Sequence, residues 1–568
     1  MQELLPDSRQ IRITQHLGEI SAKSLQTIDQ LLLILPERPP AALWQRLPAG
    51  NRLQALIRKR DAGAVPALQT RLTNKRQTLV VAAKVPASSS TFEKLSLARK
   101  LVASAVSERS GALGIVVAGF GPHQQQELCK IAASATLAAG FQLPSFKRKP
   151  ASPRIRSIGL FGLDRRVDLK RVLAEANGNN LARWLTALPP NKLDATNYAA
   201  LVKKLAADYG WQYKRHGTKD LEKLGAGAFL AVAQGNEDDS AAIVRLKYRP
   251  GKRNASPDLS LVGKGIIFDT GGTNLKPFAS MLEMHGDMQG SAVALGTLIA
   301  ISELGLPIPV DCWLAITENR MGPQAYKSQD LITAANGMTI QAIHTDAEGR
   351  MALADTLVLA GREKPKLIID FATLTGACIN AITKRYSGVF SNRADWHPRL
   401  KRTGRNCGER VWPFPIGKEF LHELKSDVAD IKQCSASGSG DHILAASFLA
   451  EFVENDIPWI HIDLSASTHK GGLGHVPTEV TGFGVRYTMS LVLDDRRDQP
   501  ILTLPGGNYS WRRFHGQFDL AASRRPQRDG LVPVTIRIVM SGRGQVRIDD
   551  VRLDDVRIEI APADAAAE

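Results

Sequence analysis

The chain has 568 residues, 43% hydrophobic and 23% charged, which is the make-up of an ordinary globular protein long enough for more than one hydrophobic core. Its 73 Lys and Arg against 56 Asp and Glu leave a formal charge of +17, which permits attraction to nucleic acid or anionic surfaces without establishing it. Five dispersed cysteines, Cys129, Cys312, Cys378, Cys407 and Cys434, odd in number and without a C-x-x-C pair, suggest neither a disulfide framework nor a zinc ribbon, and a reducing compartment is expected.

Met1 to Asp7 lacks a basic region followed by an apolar core, and the run Leu31 to Leu35 is too short to span a bilayer. A cytoplasmic protein without membrane contact is expected. Residues 1 to about 60 carry helical-looking apolar spacing broken by Pro36, Pro39, Pro40 and Pro48, with nothing of catalytic spacing. Strand-like Thr78 to Ala82, helix-like Phe92 to Val106, strand-like Leu113 to Val117 and helix-like Gln124 to Ala139 then alternate, ending near Ile158 to Phe161. This predicts a smaller N-terminal α/β domain over residues 1–170. The basic cluster Lys147 to Lys149, Arg154, Arg156 and Arg165-Arg166 has no interleaved aromatics and reads as a solvated face.

A helix from about Leu181 should stop at Pro189-Pro190, the entry to a second domain over residues 171–493. Strand-like Ser260 to Gly263, Val310 to Thr317, Lys366 to Phe371 and Trp459 to Leu464 are separated by helix-like Ser291 to Leu304, Met351 to Gly361 and His442 to Val453. The fold class predicted is α/β, with a mostly parallel sheet covered by helices on both faces and ligands outside the carboxyl ends of its strands. After Arg486 the composition changes. Pro500 to Gly507 is punctuated like a linker, and alternation at Val534/Ile536/Ile538, Val546/Ile548 and Val551/Leu553, with a turn at Gly542 and Gly544, predicts a short β-rich appendage over residues 494–568. Asp549, Asp550, Asp554 and Asp555 lie beside arginines and read as solvated, not as a calcium site.

Chemistry gathers in two stretches. His344-Thr-Asp346-Ala-Glu348-Gly-Arg350 packs two carboxylates and a guanidinium just before an apolar run. Asp346 and Glu348 would diverge on a helix, so a loop entering a helix is predicted, where both can face one cation. Upstream, Leu261 to Gly272 contains Lys264 and Asp269 and is followed by Lys276 and Asp287. Hard divalent cations want carboxylate oxygens, and two held close together need carboxylates to share, so a two-metal hydrolase centre is the working reading.

Other site types fit less well. Gly271-Gly272 and Gly471 to Gly474 lack a phosphate-loop pattern, and His285, His344, His442 and His461 are spaced unlike H-E-x-x-H and read as structural or supporting. Ser280 and Cys378 sit in no nucleophile-elbow pattern.

Lys264-Gly-Ile-Ile-Phe-Asp269-Thr-Gly-Gly, Lys276-Pro, Met284 to Asp287-Met-x-Gly, Thr345-Asp-Ala-Glu-Gly-Arg350 and Ala372-Thr-Leu-Thr-Gly376 together resemble the leucyl aminopeptidase (M17) family of two-metal exopeptidases. Glu318-Asn319, Ala325-Tyr326, Ser426 to Asp430 and Thr481 to Arg486 extend the resemblance from about Pro189 to Arg486. It implies that Asp269 and Glu348 bridge two ions, Mn2+ or Zn2+, that Lys264 and Asp287 complete the tighter site, and that Asp346 completes the more exchangeable one. A lysine binds metal only as the neutral amine, and two adjacent dications disfavour its ammonium form. Lys276 would stay protonated and face the scissile carbonyl. Arg350 would hold an anion, in this family bicarbonate, and not a salt bridge, relaying a proton from the attacking water. Thr373, Leu374, Thr375 and Gly376 would help seat that anion and, with Met284, line the first side-chain pocket.

The resemblance also implies peptide substrates and a homo-hexamer. The rival reading is a DNA-binding or regulatory protein on the same scaffold. His344 stands where an asparagine usually precedes Thr-Asp-Ala-Glu-Gly-Arg, Phe371 precedes Ala-Thr-Leu-Thr-Gly, and Arg320 to Pro323 alters the loop after Asn319. These departures leave the ligands intact and the preferred side chain open.

Overall fold

The structure, a computed structural model, describes residues 4–6, 11–20, 22–58, 68–106, 111–149 and 155–494, together with the strands Val534–Val539 and Val556–Ala561. The chain divides into two units, residues 1–503 and 504–568.

Within the first unit, a six-stranded sheet runs in the order Arg12–Leu17, Ser157–Leu163, Ala112–Val117, Gln30–Pro36, Leu79–Val85, Leu68–Arg71. Its pairings are parallel except the last, which is antiparallel. Gln30–Pro36 corrects the helical expectation for the first 60 residues. A strand buried on both faces reads as a continuous apolar run, and such a run has no period to separate it from a buried helix. Leu32 and Ile34 feed the core beneath the helices Thr91–Ala105 and Pro122–Gly140, while Leu31, Leu33 and Leu35 feed the opposite one with Trp44 and Leu53. Thr91–Ala105 starts at a capping box: Ser90 Oγ accepts the Glu93 N–H and the Glu93 carboxylate accepts the Ser90 N–H.

The second sheet has eight strands, ordered Val411–Pro413, Ser387–Ser391, Trp459–Asp463, Leu367–Ala372, Leu259–Asp269, Val310–Asn319, Ala242–Tyr248, Gln212–Gly217. The central four are mutually parallel, and antiparallel pairings flank them on both sides. Each predicted strand and helix of this region is present within a few residues. The helix expected from about Leu181 begins earlier and spans Lys170–Thr186, because buried polar Glu175 and Asn179 interrupt its apolar pattern.

Glu348–Gly361 packs on the sheet face bearing Val262 and Ile266. Gln289–Glu303 covers the other face at close range: a Cβ on Gly263 would lie 2.4 Å from Ser291 Cα. Both helices therefore begin beside the carboxyl ends of the central parallel strands.

In the second unit Val534–Val539 pairs in parallel with Val556–Ala561. The expected strands at Val546/Ile548 and Val551/Leu553, the Gly542 to Gly544 turn, the acidic pairs and Pro500 to Gly507 lie outside the described residues. Among the described residues no helix is long and apolar enough to cross a membrane.

Candidate metal centre and active site

Four separated segments deliver the charged side chains to one crevice. Lys264 lies within the Leu259–Asp269 strand and Asp269 ends it. Asp287 follows the short turn Met284–Gly286, ahead of Gln289–Glu303. Asp346 occupies a turn and Glu348 opens its helix, so the pair is presented by a loop entering a helix, as their spacing predicts. Lys276 reaches in from the loop beyond Gly271-Gly272, where φ values of 88° and 64° need glycine.

Asp269, Asp346 and Glu348 each place a carboxylate oxygen within 4.8 Å of the others. Lys264 Nζ lies 2.8 Å from Asp287 Oδ2 and 2.9 Å from Glu348 Oε1, and donates to the Thr373 carbonyl at 3.1 Å. Lys276 Nζ lies 2.9 Å from Asp269 Oδ2 and pairs with Asp346 Oδ1. Four carboxylates thus surround two ammonium groups.

Burial, reinforced by Asp269, pushes the Glu348 carboxyl up to about 8. Burial also raises Asp287 to about 6, against the pull of Lys264, and raises Asp346, with Asp269 adding to it. Burial works to lower Lys264, but the carboxylates of Asp287, Glu348 and Asp269 outweigh it and raise the amine. Burial is the main cause for the acids, and beside it four carboxylates face only two ammonium groups, a deficit of positive charge. Oxygen-rich donors, one amine and that deficit fit divalent cations.

Around the acids lies a ring of neutral groups. Asn319 Nδ2 donates to Asp269 Oδ1 at 2.8 Å and to the Thr345 carbonyl at 3.1 Å, and the Gly271 N–H donates to the same Asp269 oxygen at 2.8 Å. Thr345 is fully buried, its hydroxyl donating to the Gly271 carbonyl at 2.6 Å and its N–H to Asn274 Oδ1 at 2.8 Å. Tyr326 OH donates to the Thr345 carbonyl at 2.9 Å. Gln433 Oε1 accepts the N–H groups of Ile343 and His344, and its Nε2 donates to the Ala347 carbonyl at 3.1 Å. Asn319 and Tyr326 entered the sequence reading only as motif letters. Asn274 and Gln433 carried no local signal at all.

Thr373 Oγ1 donates to Asp287 Oδ1 at 2.6 Å, and Asp463 accepts the Thr375 hydroxyl at 2.7 Å and the Leu374 N–H at 3.3 Å. Gly376 opens the helix Gly376–Ile382, and Met284 is half-buried in the turn before Asp287. Arg350 is 2% exposed; its Nη2 donates to Asp441 Oδ2 at 2.7 Å and its Nη1 to the Gln433 carbonyl at 3.2 Å. The guanidinium therefore does make a salt bridge. His344 is exposed, and its Nδ1 accepts the Asp346 N–H at 3.2 Å, shaping the turn. His461 is a buried structural partner of Asp370, 2.6 Å away. Burial pushes the Cys378 thiol up, away from nucleophilic use. Lys147 to Lys149, Arg156, Arg165 and Arg166 are exposed.

Residues 180–489 match the Cytosol aminopeptidase family, catalytic domain. A "Probable cytosol aminopeptidase" of a Synechococcus species is 36% identical over 423 residues, 73% of this chain and 86% of that protein. One from Prochlorococcus marinus is 40% identical over 371 residues, 63% of this chain and 73% of its own length. For a relative of the same description in a Sulfurihydrogenibium species, at 38% identity, the shared part covers 56% of this chain and 63% of the relative. Among solved structures, a tomato leucine aminopeptidase mutant has the same fold, with a TM-score of 0.75 over 86% of this chain and 98% of that one at 24% identity. The bottromycin maturation enzyme BotP in complex with Mn is 28% identical, with a TM-score of 0.70 over 81% and 98% of the two chains. With this match across the segment that carries every charged residue of the crevice, the chain belongs to the cytosol aminopeptidase family of metallo-aminopeptidase hydrolases.

Proposed function

We propose that the chain removes the N-terminal residue of peptides at a centre of two divalent cations held by Lys264, Asp269, Asp287, Asp346 and Glu348. The observation that carries this reading is the arrival of those donors, with Lys276, at one crevice from separated segments. On this reading Asp269 and Glu348 would be shared between the ions, Lys264 and Asp287 would complete the tighter site, and Asp346 the more exchangeable one. Mn2+ or Zn2+ is the expected metal, and the Mn of the BotP structure supports the former. When bound, such ions polarise the scissile carbonyl and lower the pKa of a water.

The two lysines divide the remaining work by depth. Lys264, 3% exposed and held by the Thr373 carbonyl, cannot reach a substrate. Lys276, at 14% exposed, lies toward the mouth, where its ammonium can meet the negative charge that develops on the carbonyl oxygen. Thr373 to Gly376 and Met284 border the crevice and would line the pocket for the first side chain. A free α-amine would bind a metal directly, which would account for cleavage at the N-terminus and not internally. A bicarbonate at Arg350 would have to share a guanidinium whose terminal nitrogens already bind Asp441 and Gln433.

We further infer a division into residues 1–170, 171–493 and 494–568, and a cytoplasmic homo-hexamer, to be checked by limited proteolysis and light scattering. The central test is purified full-length chain with added Mn2+ or Zn2+ on a panel of aminoacyl amides. Hydrolysis that disappears in Asp346→Ala supports the reading, and no hydrolysis, or an unaffected variant, overturns it. Salt-dependent DNA retention that persists in the variant would instead support the regulatory alternative.

A further inference from the structure

Arg350 is buried two positions beyond Glu348, and a buried guanidinium without a counter-charge is strongly unfavourable. The chain answers that need itself. Asp441 Oδ2 lies 2.7 Å from Arg350 Nη2, the Gln433 carbonyl takes Nη1 at 3.2 Å, and Nε is buried without a hydrogen-bond partner. Asp441 is the first residue of the ten-residue helix Asp441–Ala450, whose unpaired N-terminal amides favour a carboxylate at that position. It follows the exposed stretch Ala436 to Gly440, with left-handed φ at Gly438 and Gly440, and its own side chain is 25% exposed. Asp441 thus stands where solvent gives way to the buried Arg350.

We propose that Asp441 is the resident counter-ion of Arg350 and takes the position of the free anion, such as bicarbonate, that the family resemblance implies there. The proposal rests on the aminopeptidase reading for its effect on rate. Asp441 acts as a positioning residue through Arg350 and does not touch the metal ligands. The link to the site is Gln433. Its carbonyl fixes one end of the guanidinium while its side chain holds the backbone of Ile343, His344 and Ala347, the turn that presents Asp346 and Glu348. A guanidinium released from Asp441 would loosen that turn and expose a cationic site that small anions can enter.

The test uses the full-length chain with Mn2+ in buffer freed of carbon dioxide, titrated with bicarbonate and separately with formate. The wild-type kcat is expected to be insensitive to both. Asp441→Ala should lose about tenfold or more in kcat with little change in KM, as for other residues that orient metal-site groups, and millimolar formate or bicarbonate should restore most of the loss. Asp441→Asn should lose rate without rescue, because the amide still fills the space.

A wild-type rate that rises with bicarbonate overturns the proposal whatever the variants do, as does an Asp441→Ala enzyme of undiminished rate. Thermal midpoints supply an independent readout: formate should raise that of Asp441→Ala and leave wild type unmoved, and failure to do so counts against the assignment. If Asp441→Ala does not fold, Asp441→Asn carries the test by its loss of kcat. A wild type inactive with every metal overturns the aminopeptidase reading instead, and the midpoints still decide the counter-ion.

Discussion

The backbone of Gly349 lies against the end of Lys264, so that a Cβ on Gly349 would fall 2.5 Å from both Cε and Nζ. The atoms in the way are the far end of a flexible side chain, so the fold can absorb an added methyl while the site cannot. Alanine is otherwise favoured over glycine in a helix by about 1 kcal/mol. Lys264 is held by buried ion pairs, however, and shifting it offsets that gain, so Gly349→Ala is expected to leave the thermal midpoint unchanged or lower while metal affinity and activity fall about tenfold or more. A variant with full activity would show that Lys264 need not hold its position.

Depth separates the two lysines. Lys276→Met should lower kcat by about 10²–10³ while metal content stays at the wild-type level, because Lys276 meets Asp269 and Asp346 as an ammonium and is not assigned as a metal ligand. Lys264→Met should instead reduce the bound metal from two ions to one. Elemental analysis after gel filtration distinguishes them, and equal metal loss in both variants would contradict the assigned roles.

Asn319 ties Asp269 to the turn carrying Asp346 through one side-chain amide. Asn319→Ala removes one donor from Asp269 Oδ1 and one from the Thr345 carbonyl, while the Gly271 N–H and Tyr326 OH still satisfy them, and should destabilise the fold by about 1 kcal/mol. Metal affinity should fall about 10–100-fold as the two acids lose their fixed relation. Urea melts and metal titration measure the two effects, and a variant indistinguishable from wild type in both would remove Asn319 from the site.

Asp355 lies two turns beyond Glu348 on the same helix, fully buried, and accepts the N–H groups of Phe229 and Ala335 at 2.8 and 2.7 Å. Burial raises its carboxyl to about 7 against those backbone bonds. The folded chain therefore holds a proton that the unfolded chain releases at the ordinary carboxylate value, and this contribution to stability declines as pH rises from about 4 through about 7. Asp355→Asn, which does not titrate, should be less stable than wild type at pH 5, and the gap should narrow by pH 8. Thermal midpoints across that range check the sign, and a gap that widens with pH would refute it.

Much of the site was legible because its parts are local. Lys264 and Asp269 sit on one strand, Asp346 and Glu348 in one turn, and the apolar run after Glu348 announces the helix that presents them. The central strands and the helices packed on them between residues 259 and 463 could be placed because strand-like runs and helical spacing alternate there, whereas the shorter elements Gly376–Ile382, Ser387–Ser391, His397–Cys407 and Val411–Pro413 went unread. The same method failed at Gln30–Pro36, a strand whose two faces are both buried.

By itself the sequence determined the α/β class, the identity and order of the charged residues, and the family they resemble, since each of these resides in short stretches of chain. Tertiary structure alone decided which neutral groups hold the acids in place. Asn274, Asn319, Tyr326 and Gln433 reach the Thr345 turn across 19 to 90 residues of sequence, and hydrogen bonds at that separation leave no spacing pattern to read. It also decided the partner of Arg350. That arginine was expected to keep its charge for a free anion, yet the chain folds so that Asp441, 91 residues away, meets it at the start of a helix. Burial of the guanidinium makes such a partner necessary, and only the packed structure shows which carboxylate supplies it.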